Sequence, residues 1–187
     1  MAELTSDQLV IRPERPVDFD RIRDVVAAAF GSDAEADLVD RIRASPEFVP
    51  QMALVAERVD RPVGQIVGHV MISGAVIRHA TGERRIVMLS PLAVAPDHQR
   101  LGIGGALVQA ATALADHFGE PLVVLEGSPQ YYPRFGFEPT TPHGIATPLP
   151  DWAPHDAAQV LLLSGYDASD PTLRGTVVYP PAFDGVE

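Results

Sequence analysis

The stretch Ile86 to Leu107, IVMLSPLAVAPDHQRLGIGGAL, decides how this chain folds. Its first part, Ile86 to Val94, is a run of aliphatic and β-branched residues interrupted by Ser90-Pro91 and closed by Pro96-Asp97, the composition of a buried strand. Gly102, Gly104 and Gly105 then lead into Ala106 to Phe118, where Leu107, Ala111, Leu114 and Phe118 recur at helical spacing before the stop at Gly119. A glycine-rich turn that runs into a helix leaves backbone N–H groups unpaired at the positive end of the helix dipole. That is a place for an anion. Glycine lets a phosphate approach the main chain because no Cβ stands in the way.

Gln99-Arg100-Leu101-Gly102-Ile103-Gly104 fits the pattern Gln/Arg-x-x-Gly-x-Gly/Ala. It resembles the acyl-CoA pyrophosphate loop of the GCN5-related N-acetyltransferase (GNAT) superfamily. Downstream come a second apolar strand, Leu122 to Leu125, and then Tyr131-Tyr132-Pro133-Arg134-Phe135-Gly136-Phe137, which resembles the Tyr-x-x-x-Gly-Phe signature of the same superfamily. Two motifs in order, joined by a helix and a strand, carry the resemblance, which covers roughly residues 9 to 180. It implies an α/β fold with a mixed, mostly antiparallel central sheet, flanked by helices and splayed at the acyl-CoA site. It also implies an N-acetyltransferase that moves an acetyl group from the cosubstrate acetyl-CoA to a primary amine by direct attack.

The resemblance distributes roles as follows. Tyr132, four residues before Gly136, takes the place of the general acid that protonates the departing CoA thiolate, with Tyr131 as the neighbouring alternative. Leu92, Ala93 and Val94 meet the pantetheine arm through their main chain, and Pro91, which has no N–H to donate, fits the irregularity where the sheet splays. Gln99, Arg100, Leu101, Gly102, Ile103, Gly104 and Gly105 hold the pyrophosphate; the Arg100 side chain either adds a contact to phosphate or is merely solvated. Neutralising an amine of pKa about 10.4 near pH 7.4 costs roughly 4 kcal/mol, so a base is useful. Members of the superfamily often place a glutamate on the central strand, where this chain has Met88 and its neighbours. Glu126 and, through water, Ser90 are candidates, and deprotonation through ordered water or an acceptor of lower pKa are the other readings.

Composition narrows the alternatives. At 187 residues the chain is expected to form a single domain spanning 1–187, and 46% hydrophobic residues with a mean hydropathy of +0.07 argue against disorder. All 14 basic residues are arginine, so a Walker A loop, a Schiff-base mechanism and pyridoxal phosphate, each of which needs lysine, are excluded. With no cysteine there are no thiolate nucleophiles or Cys-based metal sites, and no metal is expected. A net charge of −11 disfavours nucleic acid as a partner. The absence of a long apolar run and of a leader-like N-terminus predicts a cytoplasmic protein without membrane contact. A homo-oligomer is left open.

The remaining elements follow in order. Leu9 to Arg12 reads as a strand; Phe19, Ile22, Val25, Val26 and Phe30 mark one helix face with Asp18 as its cap; Ser32-Asp33-Ala34-Glu35 matches a capping box before a second helix. Glu35 is either that cap or a border of the acceptor site. Met52 to Val59 and Val63 to Ser73 read as strands joined at Asp60-Arg61-Pro62, with His69 as a hydrogen-bonded core residue, and Arg78 to Arg85 as a polar turn. The proline-rich segment 138–155 is an ordered loop in which Trp152 serves as anchor or pocket wall, and Gln159 to Leu163 and Gly175 to Tyr179 are closing strands. Two rival functions compete with this reading. The glycines followed by Glu126 mimic a dinucleotide fingerprint, but Leu107 occupies the third glycine position and Ala95 to Leu101 part the strand from the first glycine. A non-catalytic acyl-CoA-binding module is the other alternative.

Overall fold

The computed structural model describes residues 9–60, 65–149 and 153–184. Arg61 and Pro62 of the expected turn, and Trp152, lie outside the described residues. The strands are β1 (Leu9–Pro13), β2 (Ala53–Arg58), β3 (Gln65–His79), β4 (Gly82–Val94), β5 (Leu122–Glu126), β6 (Glu138–Pro139), β7 (Ile145–Ala146), β8 (Ala158–Leu162) and β9 (Gly175–Val178). They form one sheet in the order β1-β2-β3-β4-β5-β8-β6, while β9 pairs with the outer part of β3 and with β7. Pairing is antiparallel except for β4 with β5 and β7 with β9. Among the described residues three α-helices, α1 (Phe19–Phe30), α2 (Ala34–Arg43) and α3 (Ile103–His117), cover the sheet. Among the described residues no helix is long and apolar enough to cross a membrane.

The parallel pair β4–β5 needs a crossover, and α3 supplies it. Leu107, Val108, Ala111 and Ala115 of α3 are buried against one face of the sheet with Val70, Ile72 and Val87. Gly68 allows the close approach, since a Cβ there would fall 2.9 Å from Leu107 Cδ1. Ile22, Val25 and Val26 of α1 pack with Leu38, Val39 and Ile42 of α2 on the other face.

Several local expectations change. β3 and β4 run as one long hairpin through the expected polar turn, pairing Arg78 with Glu83 and His79 with Gly82. Their exposed rungs are held by ladder bonds and by an Arg78–Glu83 ion pair of 2.9 Å rather than by burial, which is why hydrophobicity underestimates their length. Helix α3 begins at Ile103, three residues before Ala106, and Phe118 is 52% exposed instead of buried. Phe30 likewise is 45% exposed at the end of α1. Asp18 occupies the N-cap of α1 without capping it; its carboxylate accepts from Arg12 at 2.7 and 3.0 Å and from the Arg15 backbone at 2.8 Å. The capping box at α2 is not reciprocal either, because the Ser32 hydroxyl donates to Glu35 at 2.6 Å and accepts from the Ala34 backbone. The proline-rich loop contains two short strands, one of which places Pro139 on an edge, where proline is tolerated.

Candidate active site

β4 and β5 run side by side for only two rungs, Val87 with Val123 and Met88 with Val124. β4 nevertheless continues to Val94, still paired with β3 on its other edge. Its register there skips: Val70 faces Leu92 and Ile72 faces Leu89, so Ser90 and Pro91 together oppose Met71 as a bulge. The Ser90–Pro91 peptide is cis. Beyond Met88 the two parallel strands part, and among the described residues no strand lies beside the β4 edge from Leu89 to Val94. A slot opens whose wall is a row of backbone groups.

The slot leads to the glycine loop. Ala95 N–H bonds to Val67 O at 2.9 Å, a single turn of 3-10 helix follows at Pro96–His98, and the Gln99 side-chain amide donates back to Val94 O at 3.1 Å. Gln99 therefore ties the loop to the end of β4 and spends its side chain there. Arg100 has φ 61° and Gly102 φ 82°, the left-handed conformations that swing the chain into α3. Arg100 is exposed and bonded to none of the described residues. Gly102 is the N-cap of α3, with no side-chain cap, and the first turn leaves the N–H groups of Ile103, Gly104 and Gly105 without intrahelical acceptors. Leu101 and Ile103 turn their side chains into the core.

Both tyrosines are set by the turn after β5. Tyr131 and Tyr132 N–H groups bond to Ser128 O at 3.0 and 3.4 Å, starting the 3-10 turn Tyr132–Phe135 that ends at Gly136 with φ 89°. The Tyr132 ring meets Tyr131 edge-on at 5.0 Å and Phe137 at 5.7 Å. Gly127 makes room for it, since a Cβ at that position would overlap the ring. Tyr131 leans the other way: a Cβ at Gly104 would fall 2.6 Å from its Oη, so its hydroxyl rests on the first turn of α3. Desolvation raises both phenol pKa values, that of Tyr132 the more strongly, so each holds its proton at neutral pH.

The parted strands open into a cavity of about 660 Å³. Met88 to Leu92 form one wall, Tyr131 and Tyr132 another, and Phe30, Glu35 and Leu38 approach from α1 and α2. Leu149, Ala153, Pro154, Ala157 and Phe183 close it from the late chain. Glu126 ends β5 within this cavity, and the Tyr179 hydroxyl donates to its Oε1. Desolvation pushes the Glu126 carboxyl up from its ordinary value, against the lowering effect of that hydrogen bond. Among the described residues no three His, Asp or Glu side chains are grouped to hold a metal ion.

Of the expected site residues, Leu92 and Tyr132 line this cavity, whereas Ala93, Val94 and the loop from Gln99 to Gly105 lie outside its lining, further along the chain that continues from β4 into α3. Ala93 differs from its neighbours in burying its side chain, at 1% exposure, between sheet and α1, which leaves its backbone as what it offers. Ser90 and Glu126, the two candidate bases, both line the cavity. Sequence reading missed Tyr179 and Phe183, because nothing local marks a tyrosine at the end of a strand as the partner of a glutamate 53 positions away.

Comparison with known proteins agrees with the fold. Residues 50–139 match the family model described as "Acetyltransferase (GNAT) domain". The chain is 32% identical over 157 residues to the uncharacterized N-acetyltransferase YjhQ of Escherichia coli K12, covering 83% of each chain. Its structure is similar to the GNAT family N-acetyltransferase YhbS of Escherichia coli, solved in complex with CoA, at a TM-score of 0.81 and 30% identity over 96% of this chain and 94% of that one. A GNAT family acetyltransferase from Brucella melitensis in complex with acetyl-CoA superposes at a TM-score of 0.73, with 32% identity over 94% of this chain and 98% of the other.

Proposed function

The chain belongs to the GNAT acetyltransferase family, and from that premise we propose that it acetylates a primary amine by direct attack on acetyl-CoA, with Tyr132 as the general acid. It is an acetyl-CoA-dependent N-acetyltransferase. One observation supports this reading above the others: β4 loses β5 after Met88, yet its open edge leads straight to the uncapped start of α3. An extended pantetheine arm can pair with such an edge as a substitute strand, and its pyrophosphate then reaches free N–H groups at a helix N-terminus. Glycine at 102, 104 and 105 keeps Cβ atoms out of that approach. The two relatives solved with CoA or acetyl-CoA make the fit the more pointed.

The thioester end then falls where the strands part, beside Tyr132. The amine nitrogen attacks the thioester carbonyl carbon, the C–S bond breaks, and the sulfur takes the Tyr132 hydroxyl proton. Desolvation that keeps the phenol protonated also makes the departing thiolate more basic, so donor and acceptor shift in the same direction. Met88 on β4 offers no base, which leaves the proton of the incoming ammonium to another group on the cavity wall.

Calorimetric titration with acetyl-CoA, with NAD as the matched control, tests the cosubstrate site. Tyr132→Phe is expected to lower kcat by about 10²-fold or more while acetyl-CoA affinity stays nearly unchanged. An unaltered kcat removes Tyr132 from the mechanism, and binding of acetyl-CoA without turnover of any amine marks a sensor module instead.

A further inference from the structure

The cavity has a chemistry of its own beyond the transfer step. Its walls are aliphatic and aromatic, with Phe30, Leu38, Met88, Leu149 and Phe183 drawn from five separate stretches of chain. The carboxylates lining it are Glu35 and Glu126, and no arginine or histidine lines it among the described residues. Glu35 already receives the Ser32 hydroxyl at 2.6 Å. Glu126 sits at the parting of β4 and β5, next to the slot, with Oε1 held by Tyr179; among the described residues no donor reaches Oε2.

We infer that the acceptor is a small primary amine with an apolar body, an arylalkyl- or alkylamine, whose ammonium group is received by Glu126 while Tyr179 positions that carboxylate; the inference rests on the acetyl-transfer reading above. With Glu35 already engaged by Ser32, Glu126 beside the apolar walls receives one cation and rewards an apolar remainder. A polyamine or an aminoglycoside brings further cations and hydroxyls against the walls formed by Phe30, Leu38, Met88, Leu149 and Phe183, where each such group loses its water without recompense. Glu126 also supplies what Met88 lacks. It takes one proton from the ammonium, the freed lone pair forms the C–N bond, the C–S bond breaks, Tyr132 protonates the sulfur, and the second proton of the former ammonium nitrogen passes to the Tyr132 phenolate and restores it. The products are the N-alkylacetamide and CoA thiol, and Glu126 returns its proton to solvent. The titratable groups sharing the cavity with Glu126 are Tyr131 and Tyr132 from the turn after β5, Tyr179 following β9, and Glu35 from α2.

The test is thiol release at fixed acetyl-CoA with 2-phenylethylamine and hexylamine set against spermidine, kanamycin and a lysine-containing peptide. The first two are expected to give kcat/KM at least about tenfold above the others, a typical value for filling an apolar pocket. Equal or reversed preference, or turnover of none of them by protein that binds acetyl-CoA, overturns the inference. Glu126→Gln is expected to cut kcat/KM for 2-phenylethylamine by about 10²-fold, to leave calorimetric acetyl-CoA affinity unchanged, and to abolish the acid limb of the pH profile. Because the Tyr179 hydrogen bond lowers the Glu126 pKa, Tyr179→Phe moves that limb to higher pH, a shift that a purely structural tyrosine would not cause. An unmoved limb in both variants refutes the assignment of Glu126. Failure of acetyl-CoA to bind, or full activity of Tyr132→Phe, strikes the transfer reading instead, so the two failures are separable.

Discussion

Glu14 shows how much one residue can carry outside the active site. It follows β1, its side chain is 3% exposed, and its carboxylate receives Arg43 Nε at 2.7 Å, Arg43 Nη2 at 2.9 Å and His69 Nε2 at 2.9 Å. Desolvation pushes the carboxyl pKa up, but the hydrogen bonds from Arg43 and His69 outweigh it and hold the pKa at about 2, against an ordinary 4.5. Burial keeps the His69 imidazole below its ordinary 6.5, so it is neutral at pH 7. Both folded-state values are depressed, and the signs agree. The Glu14 contribution is complete above pH 4.5 and is lost as pH falls towards 2, while His69 begins to oppose folding as pH drops below 6.5. The change from 4.5 to about 2 corresponds to roughly 3–3.5 kcal/mol as an upper bound. Glu14→Gln leaves Arg43 without its buried counter-ion and is expected to cost about 3 kcal/mol in urea unfolding at pH 7. Its stability should also depend less on pH between 2 and 4.5 than that of the wild type. Equal urea midpoints would show that the cluster contributes nothing. The sequence marked His69 as a hydrogen-bonded core residue, which it is, but its partner lies 55 positions away and left no local sign.

Among the elements, the succession from β4 through the turn to α3 was legible in the sequence, although both elements begin earlier than expected, and the reason is proximity. Strand, turn, glycines and helix are consecutive, so hydrophobic period and glycine placement report them directly. The bulge was legible too, because Pro91 cannot donate to a ladder and Ser90-Pro91 is where the register slips. What was not legible is the geometry that depends on distant chain: the early parting of β4 and β5, the exposed rungs of the β3–β4 hairpin, and the closing of the cavity by residues from Leu149 to Phe183. Helix α3 also carries a test. Gly102 has φ 82° with no heavy atom within 4 Å of a Cβ placed there, so a side chain meets open space and only a left-handed backbone cost of about 1–2 kcal/mol. Gly102→Glu is therefore expected to stay folded, with a modest fall in Tm, and to lose acetyl-CoA binding because a carboxylate now faces the pyrophosphate. Retained calorimetric affinity in the folded variant would sink the assignment of this loop.

At the scale of the whole molecule the governing quantity is charge, 14 arginines against 25 acidic residues for a net −11. Such a field does opposite things to the two substrates of the proposed reaction. It attracts a cationic amine and repels a cosubstrate bearing several phosphate charges, so the local N–H groups of the α3 start must capture the nucleotide against the global potential. Salt separates these effects, since the screening length falls from about 30 Å at 0.01 M to below 10 Å above 0.1 M. Raising ionic strength across that range is expected to increase KM for the amine several-fold while leaving KM for acetyl-CoA unchanged or lower. The check is steady-state thiol release in sodium chloride, with an uncharged, low-pKa amine as the control whose KM should not move. If both substrates weaken together, the field does not steer the amine, and recognition of the ammonium falls to Glu126 alone.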